Sequence, residues 1–509
     1  MIPPELLALS PVLIVSAASV MVMLAIAVKR HHGFVASASI SALALALGAS
    51  GAAWQAFAAP RSLTALLIVD RFACFYMALI LLAGLAAAAL LHGYLRRYRG
   101  HREEMYLLLL LATLGGMVMV MSRHFTSFFI GLELLSMPMY GMAAYLVKER
   151  RSLEAGMKYL VLSAVASAFI VFGMALVYSQ TGTMLFGEIG ARLAEGGGDA
   201  RIAMLGAALI LIGLGFKLSL APFHLWTPDV YEGAPAPVAS FLATASKVAV
   251  FALLLRYVID THAGEYATLV DALSMLAILS IIVGNILALQ QLNLKRLLAY
   301  SAIAHFGYML VALIASGPLA TEAVGIYLLT YSITTLAAFG VITLISNPQD
   351  HEVQALADYR GLFWSHPGLA AILALALLSL AGVPLTAGFL GKFYVLGAGV
   401  DKRQWLLLGA IVAGSAVGLY FYLRAMIQLF LRPAPVPVSA AATAPAAAAP
   451  APAVSPPFRW ASETGAGMLI VLLLAMLVLG IYPTPFIELA HDSGLGAQPP
   501  IPSLAADRR

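Results

Sequence analysis

The chain has 509 residues, of which 62% are hydrophobic and only 10% charged, with a mean hydropathy of +0.93. A soluble domain cannot hide that much apolar surface, so the fold class is an all-α polytopic membrane protein whose backbone polar groups are satisfied inside helices. The net charge of +5 is spread over short loops and reads as topology rather than as a nucleic-acid footprint, and the single cysteine, Cys74, excludes an internal disulfide, a CxxC zinc site and a thiolate-bound iron–sulfur cluster.

No basic segment precedes the first apolar run, and Lys29, Arg30, His31 and His32 follow it, so it reads as a first span and not as a cleaved signal peptide. Apolar runs recur at about 8–28, 34–58, 68–95, 104–121, 125–147, 153–178, 202–222, 236–258, 267–290, 296–315, 320–346, 367–399, 404–431 and 463–483, which predicts about fourteen transmembrane helices. Lys29–Arg30, Arg96, Arg97, Arg99, Arg102, Lys148, Arg150, Arg151 and Lys295–Arg296 fall on one side, expected to be cytoplasmic, with both termini opposite. Arg61, Arg123, Arg201, Lys402 and Arg403 fall on the other side, so the bias is not absolute. Gly196–Gly198 with Asp199 reads as an external loop, and the Pro/Ala-rich stretch 432–460 as an extended, mobile linker.

Two runs are expected to be broken helices. In LIGLGFKLSLAPFHLWTPDVYEGAPAP at 211–237, Gly213 and Gly215 precede Lys217, and Pro222 follows it. The run 367–399 is too long for one simple crossing and carries Gly382, Pro384 and Gly388 in its middle. Freed backbone groups at such breaks are tolerated in a membrane only where protein or a hydrated cavity satisfies them. Pro138 is expected to bend the helix of Glu133 in the same way.

The chain also repeats itself. EAGMKYLVLSAVASAFIVFG at Glu154–Gly173 is similar to EAVGIYLLTYSITTLAAFG at Glu322–Gly340, and LSLAPF at Leu218–Phe223 to LSLAGVP at Leu378–Pro384. A unit of about five spans, being odd, sets the two copies in opposite orientation, as in the inverted repeats of many transporters. The expected organisation is helices 1–3 in 1–103, a first repeat in 104–258, a second in 259–431, the linker 432–460, and a last helix with a tail in 461–509.

Ionisable residues lie inside these apolar runs: Glu133, Lys158, Lys217, Lys247, His305 and Lys392, with His224 just past the Pro222 break. A charge at membrane depth costs about 2.5–3.5 kcal/mol on insertion scales and points to function. Burial drives a lysine toward its neutral form and a nearby carboxylate toward its charged form, so moving the carboxylate toggles the proton. A sodium site would need several carboxylates and carbonyls, and lysines would repel the ion, so the excess of lysine argues for protons. Simpler readings stand beside this one. Lys158 can pair with Glu154 at i,i+4, Lys148 and Lys295 can snorkel from span ends, His305 can be a hydrogen-bonded core histidine, and His224 a cap or loop residue. No Walker A, CxxCH, HExxH or GxSxG pattern occurs, so the chain offers no seat for ATP, NAD, flavin or an iron–sulfur cluster.

GLELLSMPMYGMAAY, SLEAGMKYLVLSAVASAFIVFGMALVYSQTGT, GFKLSLAPFHLWTPDVYEGAPAPV, LKRLLAYSAIAHFGYML and GVPLTAGFLGKFYV together resemble the proton-translocating module shared by respiratory complex I and the multisubunit cation/proton antiporters. Within that family the chain is similar to the N-type subunits over residues 1 to about 485. The resemblance implies fourteen helices with an inverted repeat of spans 4–8 and 9–13. It also implies a relay through Glu133 of span 5, Lys217 of broken span 7, Lys247 of span 8 and Lys392 of broken span 12, with Lys158 typical of the N type. The L type carries a long lateral helix and further spans, and the M type a glutamate where Lys392 stands. The resemblance further implies a subunit of a bacterial NADH:quinone oxidoreductase in the inner membrane, next to other antiporter-like subunits. Such a chain has no cofactor of its own; NADH, FMN, iron–sulfur clusters and quinone belong to partner subunits. The alternative is a subunit of a stand-alone cation/proton antiporter, and a third reading is a scaffold that pumps nothing.

Overall fold

The computed structural model describes residues 4–57, 60–195, 199–348, 352–432 and 463–494. The Gly196–Gly198 loop and residues 433–460 of the expected linker lie outside them. The described residues are helical almost throughout. The main exception is a two-residue antiparallel ladder pairing Arg61 with Val69 and Ser62 with Ile68.

The helices, in chain order, are α1 (Pro4–Val28), α2 (His32–Ala56), α3 (Arg71–Arg96), α4 (Glu104–Val120), α5 (Phe125–Ala143), α6 (Arg150–Thr181), α7 (Phe186–Ala194), α8 (Ala200–Leu218), α9 (Trp226–Gly233), α10 (Ala236–Phe241), α11 (Lys247–Asp260), α12 (Ala267–Leu289), α13 (Leu294–Ala315), α14 (Pro318–Ile345), α15 (Leu362–Ser365), α16 (Pro367–Ala381), α17 (Ala387–Asp401), α18 (Trp405–Phe430), α19 (Glu463–Ile481) and α20 (Thr484–Asp492). Among the described residues eleven helices, counting α10–α11 as one, are long and apolar enough to cross a membrane. The shorter α4, α5 with its buried-face polar residues, and the interrupted α16–α17 account for the rest of the expected fourteen. α5 runs through Pro138 as one helix, so the proline does not break it.

The expected breaks are present, and they share one geometry. α8 ends with Ser219 in the left-handed region (φ 65°), where the Leu220 amide reaches the Gly215 carbonyl and the Ser219 amide the Phe216 carbonyl. α16 ends with Gly382 in the same region (φ 80°), with the Val383 and Gly382 amides bonded to the Leu378 and Ser379 carbonyls. This is the left-handed C-terminal cap that glycine favours and that other residues reach only with strain. A third irregularity has no proline or glycine to announce it. Leu242–Ser246, between α10 and α11, form a π-helical turn that ends at Lys247. Such turns in helices recur at functional sites.

The core is the interior of α3, α10–α11, α13 and α14, which are buried along most of their length, while α1, α6, α18 and α19 present one apolar face outward. Ion pairs and hydrogen bonds gather the basic loops at one end of the bundle. Arg30 meets Glu104, Arg151 meets Glu232, and Lys295 and Tyr94 share Glu352. At the other end Arg71 meets Asp492.

Close approach of α16 and α17 depends on Gly388. A Cβ there would lie 1.8 Å from the Ser379 carbonyl oxygen. Gly388→Ala is therefore expected to force the two half-helices apart and cost about 1–3 kcal/mol. Thermal unfolding of the detergent-solubilised protein checks this, and an unchanged transition would contradict the packing.

Candidate functional site

The first site grows out of the α8 break. A helix leaves its last carbonyls without intrahelical partners and carries partial negative charge at that end. The Phe216 carbonyl is taken by the Trp226 indole N–H at 3.0 Å. The Lys217 carbonyl is taken by the Lys247 ammonium, at 2.6 Å. Lys247 also donates to the Ser219 hydroxyl at 2.5 Å and lies 4.7 Å from the centre of the Trp226 ring. Ser219 thus holds a left-handed position where glycine would be easier, and its hydroxyl is a partner of Lys247.

The Lys217 side chain points the other way. Its ammonium donates to Ser136 of α5 at 2.8 Å and to Ser163 of α6 at 2.5 Å. Tyr140 donates to the same Ser163 at 2.7 Å. Glu133 is half-buried and accepts from Ser167 at 2.6 Å, one helical turn beyond Ser163. Glu133 and Lys217 act on each other electrostatically and make no direct ion pair, each being bonded to its own serine of α6. The expected Glu–Lys partnership is therefore one of proximity and charge, without contact.

The second break repeats the plan. Lys392 donates to the Ala381 carbonyl at 2.8 Å, one of the last carbonyls of α16, and its ammonium lies 5.4 Å from the Tyr308 ring centre. Each broken helix thus offers a free carbonyl to a buried lysine of a following helix, where the helix dipole favours a cation. His305 of α13 sits nearby among tyrosines. Its Nδ1 pairs with the Tyr327 hydroxyl at 2.7 Å and its Nε2 with the Tyr422 hydroxyl at 3.1 Å. Tyr308 accepts from Asn285 at 2.9 Å.

Lys247 and His305 belong to separate hydrogen-bonded clusters. Tyr159 stacks on Trp226 beside Lys247, and Tyr331 packs against His305, with Tyr231 within electrostatic reach of both tyrosines. The hydroxyls of Tyr231, Ser332 and Thr335 are buried without hydrogen-bond partners among the described residues. Buried hydroxyls of this kind are where ordered water binds.

Other residues that the sequence singles out sit elsewhere. Lys158 is 40% exposed and pairs with Glu154 at 2.7 Å and Asp229 at 2.6 Å. It belongs to a surface network with Arg296, Glu232 and Arg151, not to the Lys217 cluster. His224 is buried in the turn between α8 and α9, where its carbonyl accepts from the Thr227 amide, and Leu225, not His224, stands at the N-cap of α9. The snorkelling expected of Lys295 does not occur. Its side chain is fully buried and donates to the Glu232 and Ala234 carbonyls and to Glu352 at 2.6 Å. Glu352 borders a cavity of about 630 Å³ at the basic end, lined also by Glu149, Arg151, Glu154 and Glu232. Sequence reading passed over Arg256, which makes a buried two-pronged pair with Asp70, both bonds 2.9 Å. The signal was its place inside FALLLRYVID, an apolar run.

The chain is similar to proteins of one kind. Residues 122–418 match the family described as NADH:quinone oxidoreductase/Mrp antiporter, TM. A relative from Ectopseudomonas mendocina (strain ymp), named NADH-quinone oxidoreductase subunit N, is 53% identical over 499 residues, 97% of each chain. One of the same name from Chromohalobacter salexigens is 52% identical over 485 residues, 95% of this chain and 98% of that one. A chain in the solved structure of respiratory complex I from Thermus thermophilus with bound Aureothin is 35% identical with a TM-score of 0.78, covering 95% of this chain and all of that one. On a family match over residues 122–418 and about half identity along nearly its whole length, the chain belongs to the NADH:quinone oxidoreductase/Mrp antiporter transmembrane family, with the members named subunit N.

Proposed function

We propose that the chain is the N-type membrane-arm subunit of a bacterial, proton-pumping NADH:quinone oxidoreductase, held in the inner membrane beside other antiporter-like subunits. It contributes to that enzyme as a translocating subunit. Oxidation of NADH and reduction of quinone take place in partner subunits, which carry FMN and the iron–sulfur clusters. The observation that carries the proton reading is the pair of buried lysines at the α8 break, Lys217 and Lys247, joined through the Lys217 carbonyl and flanked by serines. Among the described residues the oxygens bonded to these ammonium groups are the hydroxyls of Ser136, Ser163 and Ser219 and one backbone carbonyl; the hydroxyls can both take and give a proton, the carbonyl only holds one by hydrogen bonding, and a metal cation has no carboxylate cage.

In this reading Glu133, bonded to Ser167 one turn from the Ser163 that holds Lys217, acts on Lys217 by its charge, and a shift of that carboxylate changes how readily Lys217 holds its proton. Two like charges brought to one helix break repel each other, which gives the Lys217–Lys247 pair a means of passing charge along. The proton then passes by way of the hydroxyls around Tyr231 and Thr335 to His305 and Lys392. Lys392 exchanges with one membrane face. Domain boundaries at about 103, 258 and 431 follow the two repeats, each containing one broken helix.

The test is complementation. In a strain lacking this chain, its return is expected to restore NADH-driven proton uptake by membrane vesicles and to place the chain with NADH-oxidising activity on a native gel. Migration apart from that activity, together with sodium/proton exchange, would instead make the chain an antiporter subunit.

A further inference from the structure

His305 is held at both ring nitrogens by phenol hydroxyls, and the hydrogen bonds continue past one of them. The Tyr422 hydroxyl, which meets Nε2, also pairs with the Ser301 hydroxyl. The chain of groups is thus Tyr327, His305, Tyr422, Ser301, drawn from α14, α13 and α18. All four are buried. Each is both a donor and an acceptor, so the whole row can point its hydrogens either way. A clamp that only held the ring would need one fixed polarity and no continuation.

The row also has a direction. α13 starts beside Lys295 and Arg296 at the basic end, and Ser301 is one turn nearer that end than His305. α14 starts at the opposite end, and Tyr327 lies in its early part. The row therefore has a component along the membrane normal, with Ser301 about one helical turn nearer the basic end than His305 and Tyr327. At the Tyr327 end it touches α17, because a Cβ on Gly391 would lie 3.1 Å from the Tyr327 ring, and Gly391 adjoins Lys392.

We infer that Tyr327, Tyr422 and Ser301 are proton-passing residues that, with His305 among them, form a leg of the relay between Ser301 on the basic-face side and Tyr327 beside α17. This rests on the relay proposed above. A proton arriving on the Ser301 oxygen releases the hydroxyl hydrogen of Ser301 to the Tyr422 oxygen. Tyr422 gives its own hydrogen to Nε2, and Nδ1 gives its hydrogen to Tyr327, which passes one on. One proton enters and one leaves, and no other bond changes. The row is left with reversed polarity and resets by rotation of its hydroxyls and turnover of the imidazole tautomer.

The test uses the assembled complex, checked on a native gel, with Tyr422→Phe, Ser301→Ala and Lys217→Ala in parallel. Tyr422→Phe keeps the ring and removes only the oxygen. It is expected to lower NADH-driven proton uptake severalfold, with Ser301→Ala in the same direction. An isosteric probe separates transport from packing: 3-fluorotyrosine at position 422 has a more acidic phenol and nearly the same shape. The groups facing His305 are Tyr308, Tyr327, Tyr331 and Tyr422, and Lys392 is the cation that acts on it. With these unchanged, a shifted pH profile of pumping supports the leg, and an unshifted one reduces Tyr422 to a structural contact and overturns it. If Tyr422→Phe pumps normally while Lys217→Ala does not, the leg is wrong and the relay stands. If neither variant affects pumping, both are wrong.

Discussion

Lys217→Ala is expected to leave the complex assembled while NADH-driven proton uptake falls on the order of tenfold or more, the scale set by removing a positioned proton-transfer group. NADH:quinone oxidation should fall with it, because a blocked proton path holds back the redox steps coupled to it. Assembly is expected to survive because the packing around Lys217 does not rest on its charge. Ser136 and Ser163, its two partners, lie on adjacent helices and retain hydroxyls that can bond backbone carbonyls. The carbonyl of residue 217 remains for Lys247, since it belongs to the backbone. Vesicle acidification and NADH oxidation on the same membranes, after a native gel, measure both quantities. Unchanged pumping would remove the buried-lysine relay for this chain and bring the scaffold reading forward.

Arg256→Ala is expected to do the opposite, damaging the fold before the transport. The Arg256 and Asp70 side chains are 3% and 2% exposed, and the guanidinium meets both carboxylate oxygens while resting 4.5 Å from the Phe72 ring centre. Asp70 also caps α3 by accepting from the Ala73 amide at 2.7 Å. Removing the guanidinium strands a buried carboxylate, at a cost of about 3–5 kcal/mol. The chain should then be depleted from membranes, while any complex that does assemble should pump at the normal ratio. Asp70→Asn combined with Arg256→Leu removes both charges and keeps a cap acceptor, so it should regain part of the lost stability. Thermal unfolding of the solubilised complex compares the single and double variants. Equal losses in the two would show that charge stranding is not the cause.

The two variants mark different kinds of buried charge. Arg256 is answered by a carboxylate in direct contact, and Lys295 by Glu352. Lys217, Lys247 and Lys392 are answered only by neutral oxygens. A charge with a fixed counterion stays put. One held by carbonyls and hydroxyls can lose its proton without leaving an opposite charge behind.

The amino-acid sequence by itself determined the membrane class, the spans and the positions of the two breaks. Apolar runs report membrane depth because lipid cannot solvate charge, and proline and glycine report where a helix must stop. It also marked Lys217, Lys247, Lys392 and His305 as deep, because depth is a property of the local run. Partners are not local, and there the tertiary structure decided. A lysine at a span end reads the same whether it reaches water or a carboxylate, and Lys295 reaches one 57 residues away. Lys158 reads as buried in its run, yet the face it occupies is open and carries Glu154 and Asp229. Arg256 meets a partner 186 residues distant. The π turn before Lys247 contains no proline or glycine that would announce it in the sequence. Which carbonyl each lysine meets is not local either: helix ends free the carbonyls, but only packing of the two halves against later helices brings an ammonium to them.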